Sequence, residues 1–121
     1  CAARAHVMHE TEADALAAYR KVNVEGSRQL AEQAVGKGVR RLVFLSSIGV
    51  LGIHTNGRGP FFVSDPPNPA EDYAISKWEA EQALWEVEAK TGLEIVVVRS
   101  PLVYGPGAKG NLARLLKLVL I

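Results

Sequence analysis

The chain has 121 residues, a formal net charge of +1 and a hydrophobic fraction of 48%, the make-up of one ordinary globular unit. The near-neutral charge gives no electrostatic reason to expect a nucleic-acid partner, and no apolar run reaches the ~18 residues of a membrane span. The one cysteine, Cys1, excludes an internal disulfide, so a reducing cytoplasm is the expected location.

Both ends read as cut. The chain opens on Cys1-Ala2-Ala3 and closes on the apolar run LLKLVLI, a surface that calls for further protein against it. It is therefore expected to be a piece of a larger protein. Thr11-x-x-Asp14 resembles a capping box with Asp in place of Glu, opening a long Ala-rich helix. Leu16, Tyr19, Val22, Leu30 and Ala34 are its expected inward positions, and Gly36 and Gly38 end it.

RRLVFLSS follows, a continuous apolar run of strand length that suits a strand buried on both faces of a parallel sheet. From Gly49 to Asn68 the chain is rich in Gly, Pro, Asn and Ser. A long irregular loop is expected there, and loops of that length are usually functional or mobile. Asn68-Pro69-Ala70-Glu71 predicts a helix start with Asn68 as N-cap and Pro69 at the first helical position. That helix runs through WEAEQALWEVEAK and stops near Gly92; LEIVVVRS is a second buried strand, PLVYGPGAKGN a loop, and a short helix leads to the end.

The order is strand remnant, helix, strand, loop, helix, strand, loop, helix. Such alternation predicts an α/β fold of parallel βαβ units with right-handed crossovers. Ligands of an open α/β sheet sit beyond the carboxyl ends of its strands. Three segments thus compete for one site: the chain after Ala3, the loop after FLSS and the loop after VVVRS.

Tyr73 and Lys77 are four apart on the second helix, hence one turn apart on one face. A tyrosine with an ordinary pKa of ~10 is a poor base at neutral pH; a nearby ammonium favours the phenolate and makes it a usable acid/base. Taken alone, the pair also reads as a plain amphipathic helix with Lys in water and Tyr half buried. Ser46 and Ser47 close the first strand, where a hydroxyl could bond a substrate oxygen or simply make a turn. Trp78 and Trp85, seven apart, read as core or interface packing. His6 and His9, without Cys or carboxylate ligand spacing, give no metal site.

Taken in order, these motifs resemble the short-chain dehydrogenase/reductase superfamily along essentially the whole chain. Ser47, a long loop and then Tyr73-x-x-x-Lys77 is its active-site pattern. CAARAHVM is similar to the segment ending the fourth strand of the extended members, and VNVEGSRQLAEQAVGKGVRRLVFLSS to their next helix and strand. DPPNPAEDYAISKWEAE and VVVRSPLVYGPG match the active-site helix and the strand and loop after it. The likeness is greatest to nucleotide-sugar 4-epimerases and 4-ketoreductases of the NAD-dependent epimerase/dehydratase family.

The resemblance implies that residues 1–121 form a partial NAD(P)-binding domain, the catalytic half of a Rossmann-type doubly wound parallel sheet. It implies NAD, or NADP, as cofactor and a nucleotide-sugar as substrate. Tyr73 would exchange a proton with the sugar 4-hydroxyl, Lys77 would lower the Tyr73 pKa and hold the nicotinamide ribose, and Ser47 would be the active-site hydroxyl with Ser46 beside it. Ala2, Ala3 and Asn23 would lie at the cofactor, Asn23 also ordering the active-site helix. Pro101 and Val103 would face the nicotinamide, and Asn111 and Leu112 would reach the nucleotide-sugar. The two long helices would form a homodimer.

Some features depart from the family pattern. The glycine-rich first turn, the residue that chooses NAD or NADP, and the C-terminal substrate domain have no counterpart in the chain. Leu51 replaces the usual Tyr of VYG, and Leu102 stands where many epimerases carry Asn. The implied activity is a nucleotide-sugar 4-epimerase; the alternatives are a 4-ketoreductase or dehydratase of the same family, or a non-catalytic α/β module that self-associates.

Overall fold

The computed structural model describes Arg4, residues 14–103 and Leu118. A continuous helical stretch comes first, built of α1 (Ala15–Tyr19), a π-helical segment (Arg20–Glu25) and α2 (Gly26–Gly36). Strand β1 (Arg41–Ser47) follows and runs into a 3₁₀ turn (Ile48–Val50); helix α3 (Asp72–Thr91) and strand β2 (Glu94–Ser100) complete the order. β1 and β2 pair in parallel, Ser46 opposite Arg99 and Ser47 opposite Ser100. The α/β reading of the sequence therefore stands.

Local chemistry explains most boundaries. Asp14 is itself the N-cap of α1, its carboxylate accepting the Ala17 N–H at 2.9 Å; Thr11 lies outside the described residues. Gly38 and Gly92 adopt φ of 73° and 74°, the left-handed conformation that follows a helix and that only glycine takes without strain. Replacing Gly92 by Ala is expected to destabilise the chain by about 1 kcal/mol, read from its urea midpoint; an unchanged midpoint would contradict this stop signal.

Three expectations need correction. Helix α3 starts at Asp72 with Glu71 in the N-cap position, not at Asn68; the Asn68 N–H is instead held by the Val50 carbonyl at 2.9 Å, pinning the loop to the 3₁₀ turn. Val22 and Leu30 are exposed, while Asn23, four residues after the buried Tyr19, lies on the face that meets α3 at Ser76. The strands are covered on one face only. Leu42, Phe44 and Ile95 pack against the core of Ala31, Leu84, Val87 and Leu93, whereas Val43, at 64% exposure, Leu45, Val96 and Val98 face outward; among the described residues, helices lie on a single side of the sheet. The expected irregular loop is present over residues 51–71 and has internal ties: Arg58 pairs with Asp65, and the Phe62 N–H donates to the same carboxylate at 2.8 Å. That N–H bond, foremost, and the guanidinium hold Asp65 below the usual carboxylate range.

Two exposed ion pairs, Arg20–Glu79 and Arg28–Glu86, join the first helical stretch to α3; pairs of this kind contribute ~0–1 kcal/mol each. No helix among the described residues is long and apolar enough to cross a membrane.

Candidate active site

Parallel pairing sends the carboxyl ends of β1 and β2 to the same edge, and the return through α3 brings its first turns there too. An open cleft of about 780 Å³ lies at that edge, lined among others by Ser47, Gly49, Tyr73, Lys77, Pro101, Leu102 and Val103. Three segments distant in sequence thus converge on one space.

Ser47 ends β1 as the cap of the 3₁₀ turn, its Oγ accepting the Gly49 N–H at 3.1 Å. That bond fixes the oxygen and leaves the hydroxyl its own hydrogen to donate. A Cβ at Gly49 would stand 3.4 Å from both Ser47 Oγ and Ala74 Cβ, in ordinary contact with each, so this turn packs the serine against the start of α3.

Tyr73 is half buried, its ring edge-on to Tyr19 with centroids 6.1 Å apart. Burial, reinforced by Tyr19, pushes its phenol above the ordinary tyrosine value. Lys77, only 3% exposed, places its ammonium 4.1 Å from the centre of the Phe44 ring, a cation–π contact that offsets part of the desolvation. Burial nonetheless lowers its pKa, with Glu81 acting in the opposite sense.

Burial of Lys77 makes the stability of the fold depend on pH. Its folded pKa lies below the unfolded value, so between the two the unfolded chain binds more protons and stability rises with pH. Tyr73, shifted upward, weakens the fold once pH passes the ordinary tyrosine value of ~10. Lys77→Met is expected to melt above the wild type at neutral pH, and the difference should shrink as pH rises toward 10. A difference constant across that range, read by thermal melts, would contradict a buried titrating lysine.

Asn23 and Ser46, expected at the cofactor, have their polar side-chain atoms engaged by protein. Asn23 Oδ1 accepts the Arg4 N–H at 2.9 Å, and its amide donates to the Arg4 carbonyl and to Ser76 Oγ, both at 3.0 Å. Ser76 in turn donates to the Tyr73 carbonyl at 2.7 Å. Ser46 donates to Glu81. Ala2, Ala3, Asn111, Leu112, His6, His9 and the expected terminal helix, Leu118 apart, lie outside the described residues. Sequence reasoning missed Phe44, Ser76, Glu81 and Arg99; the only hint was that Glu81 repeats the four-residue spacing of Tyr73 and Lys77.

A parallel sheet with its crossover helix, and a serine, tyrosine and lysine gathered at the strand ends, define a Rossmann-type α/β unit. Residues 1–120 match the sequence profile of the NAD dependent epimerase/dehydratase family, and the chain belongs to that family. It is 47% identical over 119 residues to the UDP-glucose 4-epimerase of Vibrio cholerae, covering 98% of this chain and 36% of that protein. Among solved structures it resembles MoeE5 in complex with UDP-glucose and NAD, at 31% identity and a TM-score of 0.74, over 90% of this chain and 36% of that one. It shares the fold of the UDP-glucuronic acid 4-epimerase from Bacillus cereus in complex with NAD, with a TM-score of 0.82 and 23% identity over 98% of this chain and 37% of that one. The chain thus spans about a third of the length of these relatives.

Proposed function

We propose that the chain is the catalytic half of an NAD-dependent nucleotide-sugar 4-epimerase. The observation that carries this reading is the convergence of Ser47, Tyr73 and Lys77 on one cleft. The 47% identity to a UDP-glucose 4-epimerase supports the choice of substrate class. The residues fit the nicotinamide half of a dinucleotide: a buried ammonium, a tyrosine and a Pro101–Val103 wall line an open cleft at the strand ends. When bound, NAD supplies the hydride acceptor and donor.

The chain's own residues handle protons and position. Tyr73 exchanges the proton of the sugar 4-hydroxyl, and the Lys77 ammonium one turn away must favour the phenolate strongly enough to offset the burial that raises the tyrosine. Ser47 donates a hydrogen bond to the same sugar oxygen, which orients C4 for transfer. Asn23 acts through Ser76 on the backbone of Tyr73, setting the start of α3. Asn111 and Leu112 complete the reading on the sugar side, and Ala2 and Ala3 on the cofactor side.

A ketoreductase or dehydratase is the second reading, favoured by Leu102. It lines the cleft where the resemblance to epimerases leads one to expect Asn. Conversion of UDP-galactose to UDP-glucose by the longer enzyme, with no net change in NAD, supports the epimerase; reduction of a keto-sugar with stoichiometric consumption of reduced cofactor would replace it. The 121-residue chain alone is expected to bind NAD weakly, since the residues above address the nicotinamide half and supply no helix N-terminus for the pyrophosphate. Micromolar binding by calorimetry would overturn that expectation. The Trp78–Trp85 pair, edge-to-face at 5.7 Å on α3, is the proposed centre of a helix-paired homodimer, and a monomeric mass at high concentration would count against it.

A further inference from the structure

Glu81 is a carboxylate with no exposed surface at the heart of a small domain. Its partners come from two other elements. Ser46, the penultimate residue of β1, donates to Oε1. Arg99, the penultimate residue of β2, donates from Nε at 3.1 and 3.2 Å and from Nη2 to Oε2 at 2.7 Å. The same guanidinium lies 5.8 Å from the Trp78 ring, one further contact with α3. Ser46 and Arg99 are opposite one another in the sheet register, so the carboxylate clamps both strands where they end.

Tyr73, Lys77 and Glu81 are spaced at four-residue intervals on α3 and so form one stripe along it. Moving the helix by one residue would rotate Glu81 about 100° away from the strands and break every one of these bonds. Stability alone gives little reason for such a group, because a buried ion pair is often no more stabilising than an apolar pair of equal size. We propose that Glu81 is a positioning residue: its bonds to Ser46 and Arg99 set the rotation and depth of α3, and thereby aim Tyr73 and Lys77 at the cleft beside Ser47. For its effect on turnover this rests on the epimerase reading above.

Two variants separate positioning from mere support. Glu81→Gln keeps the shape but leaves the partly buried Arg99 without its countercharge; the melting temperature is expected to fall by about 10 °C. Glu81→Gln with Arg99→Met removes both charges and should regain most of that loss. In both, kcat of the longer enzyme should stay down by roughly tenfold to a hundredfold, with KM for the sugar nucleotide little changed. A double variant that regains both melting temperature and wild-type kcat would overturn the proposal. The amide NMR shifts of Ser47, Tyr73 and Lys77 in the 121-residue chain supply a readout independent of turnover. Shifts unchanged in Glu81→Gln overturn the positioning role. Displaced shifts in a chain whose wild-type longer enzyme turns over no sugar nucleotide uphold it and reject the epimerase reading instead.

Discussion

Tyr73→Phe is expected to lower turnover of the longer enzyme by about 10²–10⁴-fold, the usual contribution of a positioned acid/base, while leaving cofactor binding nearly intact. The substitution removes one oxygen and keeps the ring. The edge-on contact with Tyr19 therefore survives, and the fold has no reason to respond. On the proposed reading this hydroxyl is the group that exchanges the proton of the sugar 4-hydroxyl, while the Lys77 ammonium lies over the Phe44 ring. The contrast with Lys77→Met is informative. That change disturbs both the electrostatics of Tyr73 and the melting behaviour, whereas the phenylalanine variant should melt with the wild type. A Tyr73→Phe enzyme retaining turnover within about tenfold would reject the proton-transfer role.

The largest effect on stability is expected at Leu84. Its side chain is wholly buried and forms the core with Ala31, Val87 and Leu93, against which Leu42, Phe44 and Ile95 pack. Leu84→Ala removes apolar contact and leaves a cavity that the helix and strands cannot close. Such changes destabilise by about 2–5 kcal/mol, a large share of the ~5–15 kcal/mol that holds a domain together. Urea denaturation reads this as a shifted midpoint at constant slope. A loss below about 1 kcal/mol would place the centre of packing elsewhere. Leu84 also belongs to the helix that carries Tyr73 and Lys77, so a weakened core should reduce activity only through the fraction of unfolded chain.

Features that depend on a few neighbouring residues were legible from the sequence. The strands showed as apolar runs, Gly92 as a helix stop, and the order of elements followed from their alternation. The pairing of Ser47 with Tyr73 and Lys77 was legible as a pattern, and their meeting at one edge follows from parallel strands and a crossover helix. The burial of particular faces was not legible, because it depends on what packs there. RLVFLSS reads as buried throughout, yet Val43 and Leu45 face outward where no described element covers them. Val22 and Asn23 lie three and four residues after Tyr19, so both fit an inward face, and only the contacts with Arg4 and Ser76 show that Asn23 takes it. Glu81 was the hardest to see. It stands among Glu79, Glu86 and Glu88 in an acid-rich helix, where a carboxylate reads as solvated, and its burial depends on an arginine 18 residues further along.

The upward shift of Tyr73 and the downward shift of Lys77 have the same physical origin, desolvation at the junction of α3 with the strand ends. Burial disfavours a charge on either side chain, and the Lys77 ammonium beside a Tyr73 phenolate is the arrangement in which the two charges compensate.

The fate of the hydrogen on the sugar C4 tests the account most directly. UDP-galactose carrying deuterium at C4 is supplied to the longer enzyme with NAD, and the UDP-glucose formed is analysed by mass spectrometry. If hydride leaves C4 and returns to it while Tyr73 exchanges only the hydroxyl proton, the product keeps its deuterium, and Tyr73→Phe forms almost none. Deuterium lost to solvent, with conversion otherwise complete, would mean that a base removes the carbon-bound hydrogen as a proton, and the roles given to Ser47, Tyr73 and Lys77 would be wrong.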